Sequence, residues 1–340
     1  MSDSCVAQLI DANLDRAREG LRVIEEWCRF TLQNRELVKN MKDWRQELGK
    51  LHLPKYKNAR CITTDSGLGL THPNQYKRKK NIDIIMANCN RAQEALRVLE
   101  EFARTSDPLL AKRSSEIRYK LYQVETNLFK LDKRSQRKNI LMESNLYVVT
   151  SQQPKLIEKI ESILQAGIKI IQYRAKEISD KKRLEQAKKI AELCRNFNAL
   201  LIINDRVDIA IAVDADGVHL GQEDLNTTVT RDLIGHEKII GRSTRSQKDI
   251  RTASKEDIDY IGLGPIFSTA AKPKIKPLGL HYIQEVSPSI ELPWFAIGGI
   301  KKDNLKDTLE AGAKRFAIMT EIMNSQSPKE EVLKLMNLIK

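Results

Sequence analysis

Two patterns of apolar and polar positions divide the chain. Over residues 1 to about 128, apolar side chains recur at helical spacing. Ala17, Leu21, Ile24 and Cys28 step by four, three and four, which stripes one face of a helix. From about residue 146, short β-branched runs alternate with amphipathic stretches. The runs are 146–150, 168–174, 200–204, 217–220, 239–243, 260–265, 294–298 and 316–319, and the stretches between them include 181–197 and 302–311. Eight strands alternating with helices predict an α/β fold, a closed parallel (β/α)8 TIM barrel, preceded by an all-α domain of helical hairpins. A doubly wound open sheet is the alternative. No GxGxxG follows the first run, which counts against that sheet and against dinucleotide binding together.

The helical part contains an internal repeat. Residues 12–26 read ANLDRAREGLRVIEE and residues 87–101 read ANCNRAQEALRVLEE, an offset of 75. Asn13/Asn88, Arg16/Arg91, Glu19/Glu94, Arg22/Arg97, Glu25/Glu100 and Glu26/Glu101 are identical. A second helical stretch follows each copy, one containing Trp44 and Arg45, the other Arg118 and Tyr119. Two such hairpins are expected to pair about a pseudo-twofold axis, burying faces that neither buries alone. A solvated helix face needs charge, but not the same charge at the same place twice. Two readings stay open: an Arg–Glu network locking the hairpins together, or a ligand site of paired Asn, Arg and Glu. Between the copies, residues 63–73 are rich in glycine and hydroxyls, as a phosphate-wrapping loop is, yet lack the GxxxxGK[ST] spacing.

Composition narrows the class. The chain has 340 residues, of which 41% are hydrophobic and 30% charged, excluding collagen-like, disulfide-scaffold and wholly disordered proteins. The net charge of +13 raises the question of nucleic acid. Residues 1–145 carry +9 of it and residues 146–340 only +4, with basic clusters at 77–80 and 130–138. Aromatic residues are 5% and do not interleave with the charges, so no nucleic-acid partner is expected. No apolar run approaches the roughly 18–20 residues that span a bilayer, and the N-terminus lacks a basic-then-apolar signal, so no membrane partner is expected either. Cys5, Cys28, Cys61, Cys89 and Cys194 form no CxxC pair and point to a reducing cytoplasm. The expected organisation is a helical domain over 1–128, a basic linker over 129–144 and a barrel over 145–340.

In such a barrel the chemistry sits at the C-terminal ends of the strands. Period-two alternation puts Gln172, Arg174 and Lys176 on one face toward the mouth, where two cations and an amide suit a phosphate group. A strand-edge salt bridge is the alternative there. Asn204 and Asp205 end the third strand, and Asp224 follows the fourth. Two carboxylates, with phosphate oxygens and water, are what Mg2+ requires, unless both aspartates merely cap loops. Asn204 is a substrate-binding candidate, and Ser243 offers a hydroxyl at the end of the fifth strand. The loop after the sixth strand, with Thr269, Ala270, Ala271 and Lys272, has the small residues, hydroxyl and cation to cover a bound phosphate. Gly298 and Gly299 after strand seven, and the turn at Met319 and Thr320 after strand eight, match a barrel phosphate site. Two anion sites and a metal suit the joining of two phosphorylated substrates.

QYRAK at 172–176, the Asn204-Asp205 pair, DGVHLGQED at 216–224, the GLGPIF-S-T-x-x-K stretch ending at Lys272, and IGGI at 297–300 together resemble thiamine phosphate synthase over 145–325. The resemblance implies Mg2+-dependent condensation of 4-amino-5-hydroxymethyl-2-methylpyrimidine diphosphate with the phosphate of 5-(2-hydroxyethyl)-4-methylthiazole, giving thiamine phosphate and diphosphate. It maps Gln172, Tyr173, Arg174, Ala175, Lys176, Asn204, Ser243 and Lys272 onto the pyrimidine diphosphate, with His219 beside the ring. Asp205 and Asp224 map onto Mg2+. Thr269, Ala270, Ala271, Gly299, Met319 and Thr320 map onto the thiazole phosphate, where Ala271 replaces a threonine common in the family. Arg174, Lys272 and Ser243 are the catalytic candidates for a dissociative substitution needing no general base. The ANxxRAxExLRVxEE repeat resembles a helical module fused to this synthase and associated with hydroxymethylpyrimidine-phosphate kinase activity; a dimerisation or regulatory module is the alternative. The expected partners are phosphorylated pyrimidine and thiazole substrates, and homo-oligomerisation is compatible with the resemblance.

Overall fold

A computed structural model describes residues 3–61, 78 and 80–339. The glycine-rich stretch 63–73 and Lys77 and Lys79 of the first basic cluster lie outside the described residues. The chain forms two units, Met1–Asp132 and Lys133–Lys340.

The first unit is all helical: α1 (Asp3–Phe30), α2 (Arg35–Leu51), α3 (Pro54–Lys57), α4 (Asn81–Phe102) and the part of α5 (Pro108–Glu143) up to Asp132. The predicted stripe of α1 is its core seam, for Ile10, Leu14, Ala17, Leu21, Ile24 and Cys28 are all fully buried. In the second copy Cys89, Ala92, Leu96 and Leu99 do the same. The two copies meet where Gly20 of α1 crosses α4: a Cβ there would lie 3.0 Å from the Asn88 carbonyl oxygen and 3.2 Å from Ala92 Cβ. Asn34 opens α2 by accepting from the Leu37 N–H at 3.0 Å, an N-cap.

The repeated charges resolve into two sets. Glu25 pairs with Arg22 of its own helix at 3.1 Å and with Arg45 of α2 at 3.0 Å. Glu100 pairs with Arg97 at 3.2 Å and with Arg118 of α5 at 2.8 Å. The Arg–Glu network therefore ties the two helices of each hairpin, and the contact between α1 and α4 is left to small and apolar residues. Asn13 and Asn88 each donate to a carbonyl one turn back, Leu9 at 2.9 Å and Ile84 at 2.8 Å. Arg16, Glu19, Arg91 and Glu94 are exposed and, among the described residues, make no ion pair.

In the second unit all eight predicted strands are present: β1 (Leu146–Val149), β2 (Ile170–Tyr173), β3 (Leu200–Asn204), β4 (Gly217–Leu220), β5 (Ile239–Thr244), β6 (Tyr260–Leu263), β7 (Trp294–Ile297) and β8 (Phe316–Ile318). They pair in parallel and in sequence order, and β1 pairs with β8 to close the barrel. Between and after them run α6 (Leu156–Gln165), α7 (Asp180–Asn196), α8 (Val207–Ala212), α9 (Thr227–Ile234), α10 (Gln247–Ala253), α11 (Gly279–Val286), α12 (Lys302–Glu310), α13 (Thr320–Met323) and α14 (Pro328–Ile339). Alternation along the strands sorts two layers. Tyr147, Val149, Ile170, Ile202, Tyr260, Phe295 and Ala317 fill the barrel interior. Val148, Ile171, Tyr173, Ile203 and Ile261 pack outward with the helices.

The stretch 129–144, expected to be a linker, is instead helix through Glu143. Its cations meet carboxylates placed just before the strands. Arg134 donates to Asp259 at 2.8 Å, Arg137 to Asp216 at 2.8 Å, and Lys138 lies 3.1 Å from Asp259. Leu141 adds a buried apolar side chain to the interior cluster. A run expected to be a basic linker is thus partly matched, residue by residue, to acids remote in sequence. Asp259 also accepts from Arg231 at 3.2 Å and from the Ile240 N–H at 2.8 Å. Arg134 and Arg231 are both buried, and without Asp259 they keep only the more exposed Asp257 as carboxylate partner, at 2.6 Å and 2.9 Å, so Asp259→Ala is expected to cost about 3 kcal/mol. Thermal unfolding monitored by circular dichroism measures this; an unchanged midpoint would show the cluster to be dispensable.

Candidate functional site

The C-terminal strand ends surround a cavity of about 260 Å³. Gln172, Arg174, Asn204, His219 and Ser243 line it on one side, and Thr269, Ala270, Ala271, Lys272, Gly299, Met319 and Thr320 on the other. A second hollow of about 270 Å³ shares Arg174, Asn204, Ser243 and Lys272 with the first, and adds Lys176, Asp205 and Asp224. The predicted residues are therefore brought together, with two exceptions. Tyr173 points out of the barrel and donates to Gln186 Oε1 at 2.8 Å. Ala175 packs against the helix-side core, and its carbonyl accepts from Arg183 at 3.0 Å. Period-two alternation dictates both outcomes, since each is one residue out of step with Gln172 and Arg174.

Arg174, Lys176 and Lys272 converge on this rim, with Arg245 beside them. The Lys272 ammonium is held below its ordinary range by burial and by the neighbouring Lys176 and Arg174. Lys176 Nζ lies 3.7 Å from Asp205 Oδ2, while the Arg174 guanidinium has no carboxylate partner among the described residues. A cluster that raises its own electrostatic energy in this way is built to receive an anion.

The two aspartates oppose the cations. Asp205 has the left-handed φ of 62°, a conformation that aspartate tolerates, and its N–H donates to the His219 carbonyl at 2.9 Å. Burial, together with contact with the Asp224 carboxylate, raises the Asp205 carboxyl above its usual range. Asp224 also accepts from the Gly221 N–H at 2.6 Å, so it does cap its loop, and it faces Asp205 as well. Two hard oxygen donors under mutual repulsion fit a small divalent cation. Among the described residues no group of three or more His, Cys, Asp or Glu side chains forms a metal cluster. The rest of such an ion's shell would come from substrate oxygens and water, as Mg2+ prefers.

Opposite these groups, Gly298 and Gly299 take φ of 97° and 66°. A Cβ on Gly299 would fall 2.6 Å from the Ser268 carbonyl oxygen, so the β6 and β7 loops approach this closely only with glycine there. The Ala271 N–H donates to Thr269 Oγ1 at 3.3 Å.

Beneath the cavity lies a buried polar chain that strand reading did not single out. Gln172 donates to Tyr147 Oη; Tyr147 Oη is 3.3 Å from Tyr260 Oη; Tyr260 Oη is 3.1 Å from His219 Nδ1; and His219 Nε2 is 2.9 Å from Ser243 Oγ. Burial lowers the His219 pKa to about 3, with Lys272 acting in the same direction, so the imidazole is neutral. Tyr147 and Tyr260 look like ordinary strand aromatics in sequence. The available signal was their phase, which places both hydroxyls inside the barrel.

The sequence and the barrel resemble known proteins. Residues 146–322 match the family described as Thiamine monophosphate synthase, and residues 8–127 match the ThiD2 family. The chain is 51% identical to the thiamine-phosphate synthase of Prochlorococcus marinus strain MIT 9313, covering 100% of this chain and 98% of that one. It is 49% identical to the thiamine-phosphate synthase of Synechococcus sp. strain CC9605, over 95% of this chain and 92% of that one. Among solved structures, a thiamine phosphate pyrophosphorylase from Pyrococcus furiosus aligns at 34% identity and a TM-score of 0.54, covering 59% of this chain and 96% of that chain. The family match over the barrel and the relatives along the full length agree: the chain belongs to the thiamine-phosphate synthase family.

Proposed function

We propose that the barrel joins 4-amino-5-hydroxymethyl-2-methylpyrimidine diphosphate to the phosphate of 5-(2-hydroxyethyl)-4-methylthiazole, releasing diphosphate. The observation that carries this reading is the convergence of Arg174, Lys176 and Lys272 beside Asp205 and Asp224 at the mouth of one cavity. In this reading Gln172, His219, Asn204 and Ser243 hold the pyrimidine side. Thr269, Ala270, Ala271, Gly299, Met319 and Thr320 hold the thiazole phosphate, with backbone N–H donors serving at Ala271. Arg174 and Lys272 stabilise the charge that grows on the departing diphosphate. Asp205 and Asp224 would hold Mg2+, which when bound neutralises further phosphate charge. The aminopyrimidine supports a cation at its methylene carbon, so bond breaking runs ahead of bond making, and Ser243 stands beside the ring that bears that charge. The thiazole nitrogen attacks with no proton to lose, so no general base is needed. A cytoplasmic setting is part of the proposal, supported by the buried thiols of Cys28, Cys89 and Cys194, each pushed up to about 12 by burial.

We assign the helical segment, by its resemblance, to phosphorylation of the pyrimidine monophosphate that supplies the barrel, with residues 1–128 and 145–340 as the two functional segments. The four repeated charges that make no ion pair among the described residues, Arg16, Glu19, Arg91 and Glu94, support a role other than structure. Full-length protein given pyrimidine monophosphate, ATP, Mg2+ and thiazole phosphate is expected to form thiamine phosphate. An Asp205→Ala variant is expected to stop at the pyrimidine diphosphate. Thiamine phosphate formed only from preformed pyrimidine diphosphate would instead favour a dimerisation or regulatory module.

A further inference from the structure

The hydrogen-bonded chain under the cavity has a direction. Gln172, Tyr147, Tyr260 and His219 are all buried, so every proton in the chain must be assigned to a neighbour. With one Gln172 amide N–H given to Tyr147 and the other directed at Tyr260, the Tyr147 proton goes to Tyr260 and the Tyr260 proton to His219 Nδ1. A neutral imidazole then carries its own proton on Nε2 and gives it to Ser243 Oγ. Two groups are left facing the cavity: the Gln172 carbonyl oxygen as an acceptor, and the Ser243 O–H as a donor. Reversing any one link reverses all of them, and the cavity would then show an amide donor and a hydroxyl acceptor.

We propose that Tyr147 and Tyr260 are positioning residues that couple Gln172 to Ser243 through His219, so that the cavity presents one donor–acceptor polarity and thereby selects an aminopyrimidine over its deaminated, oxo counterpart. An aminopyrimidine offers an N–H donor beside a ring-nitrogen acceptor, which complements a carbonyl acceptor and a hydroxyl donor. The oxo form offers the opposite pair and needs the whole chain reversed. A lone glutamine would turn its amide to suit either ligand, and a lone histidine would change tautomer; tied together through two fully buried tyrosines, they turn only as a set. Gly241 makes room for this arrangement, since a Cβ there would lie 2.2 Å from the Tyr260 ring. The inference rests on the synthase reading for its ligand, but not for its protonation pattern.

Tyr260→Phe in the full-length protein tests the coupling. In the wild type, 15N NMR of His219 without substrate is expected to show a single tautomer protonated at Nε2; in the variant, a mixture. The ratio of the inhibition constant of the 4-oxo pyrimidine diphosphate to the KM of the amino substrate is expected to fall about tenfold or more, with kcat within about threefold. Tyr147→Phe removes one of the two links from Gln172, leaving its contact with Tyr260, and is expected to lower the same ratio by less, which keeps the test intact if one variant does not fold. A wild-type His219 protonated at Nδ1, or variants that weaken both ligands equally and leave the tautomer unchanged, would overturn the coupling. The tautomer is read without turnover, so failure of the synthase reading and failure of the coupling are distinguishable.

Discussion

Arg174→Ala is expected to lower kcat/KM for thiamine phosphate formation by about 10³-fold, as loss of a charge-stabilising group at a transition state does. The geometry makes this a loss of chemistry with no loss of structure. The Arg174 guanidinium has no carboxylate partner among the described residues, so its removal strands no buried acid. It lies instead in a cluster whose mutual repulsion already depresses Lys272. Removing one member relieves that repulsion, so the thermal midpoint without substrate is expected to hold or rise slightly while turnover collapses. Arg174→Lys keeps the charge but loses the planar two-pronged donor, and is expected to recover only part of the rate. Steady-state kinetics with both substrates, beside thermal unfolding of the same preparations, measure both effects. Near-normal turnover in Arg174→Ala would remove the guanidinium from the mechanism, and a large drop in midpoint would make its role structural.

Much of this was legible because barrel strands are short and their phase is strict. The runs 200–204 and 217–220 reappear as β3 and β4 with the same limits, since each begins and ends where apolar alternation does. The run 239–243 falls one residue short of β5, and the others are overlong at one end or both: 168–174 shrinks to Ile170–Tyr173, because Ile168 is core that precedes the ladder and Arg174 already faces the rim. Gln172, Arg174, Asp205 and Asp224 could be found because strand ends of a barrel converge whatever joins them. Three things were not legible. Tyr173 belongs to a motif, but alternation sends its side chain to the helices. The partners of 130–138 are acids 79 to 125 positions away, so composition alone suggests solvated charge. The Tyr147–Tyr260 chain is assembled from strands on different sides of the barrel, and no local spacing encodes it. In the helical unit the repeat was plain in sequence, but Arg45 and Arg118, which close its network within each hairpin, recur at an offset of 73 and so fall out of register with the 75-residue repeat.

Asp205→Asn is expected to abolish turnover to about 10⁻³ of wild type while making the substrate-free protein more stable at neutral pH. The two effects have one cause. Burial and the Asp224 carboxylate raise the Asp205 pKa in the fold above its ordinary 3.8. A group of this sign binds its proton more tightly folded than unfolded, so stability falls as pH climbs from the unfolded pKa through the folded one, and the penalty is complete at neutral pH. Asparagine carries no charge, escapes that penalty, and also removes the repulsion felt by Asp224. The same charge is what a divalent cation would answer. Wild-type protein with diphosphate is therefore expected to gain thermal stability on addition of Mg2+, with a gain that grows as pH rises through the Asp205 titration, whereas Asp205→Asn is expected to gain little at any pH. Thermal midpoints from pH 4.5 to 8, with and without Mg2+ and diphosphate, measure this independently of activity. An equal Mg2+-induced shift in the variant would place the ion elsewhere. A variant less stable than wild type at neutral pH would mean that the Lys176 contact at 3.7 Å outweighs the repulsion from Asp224.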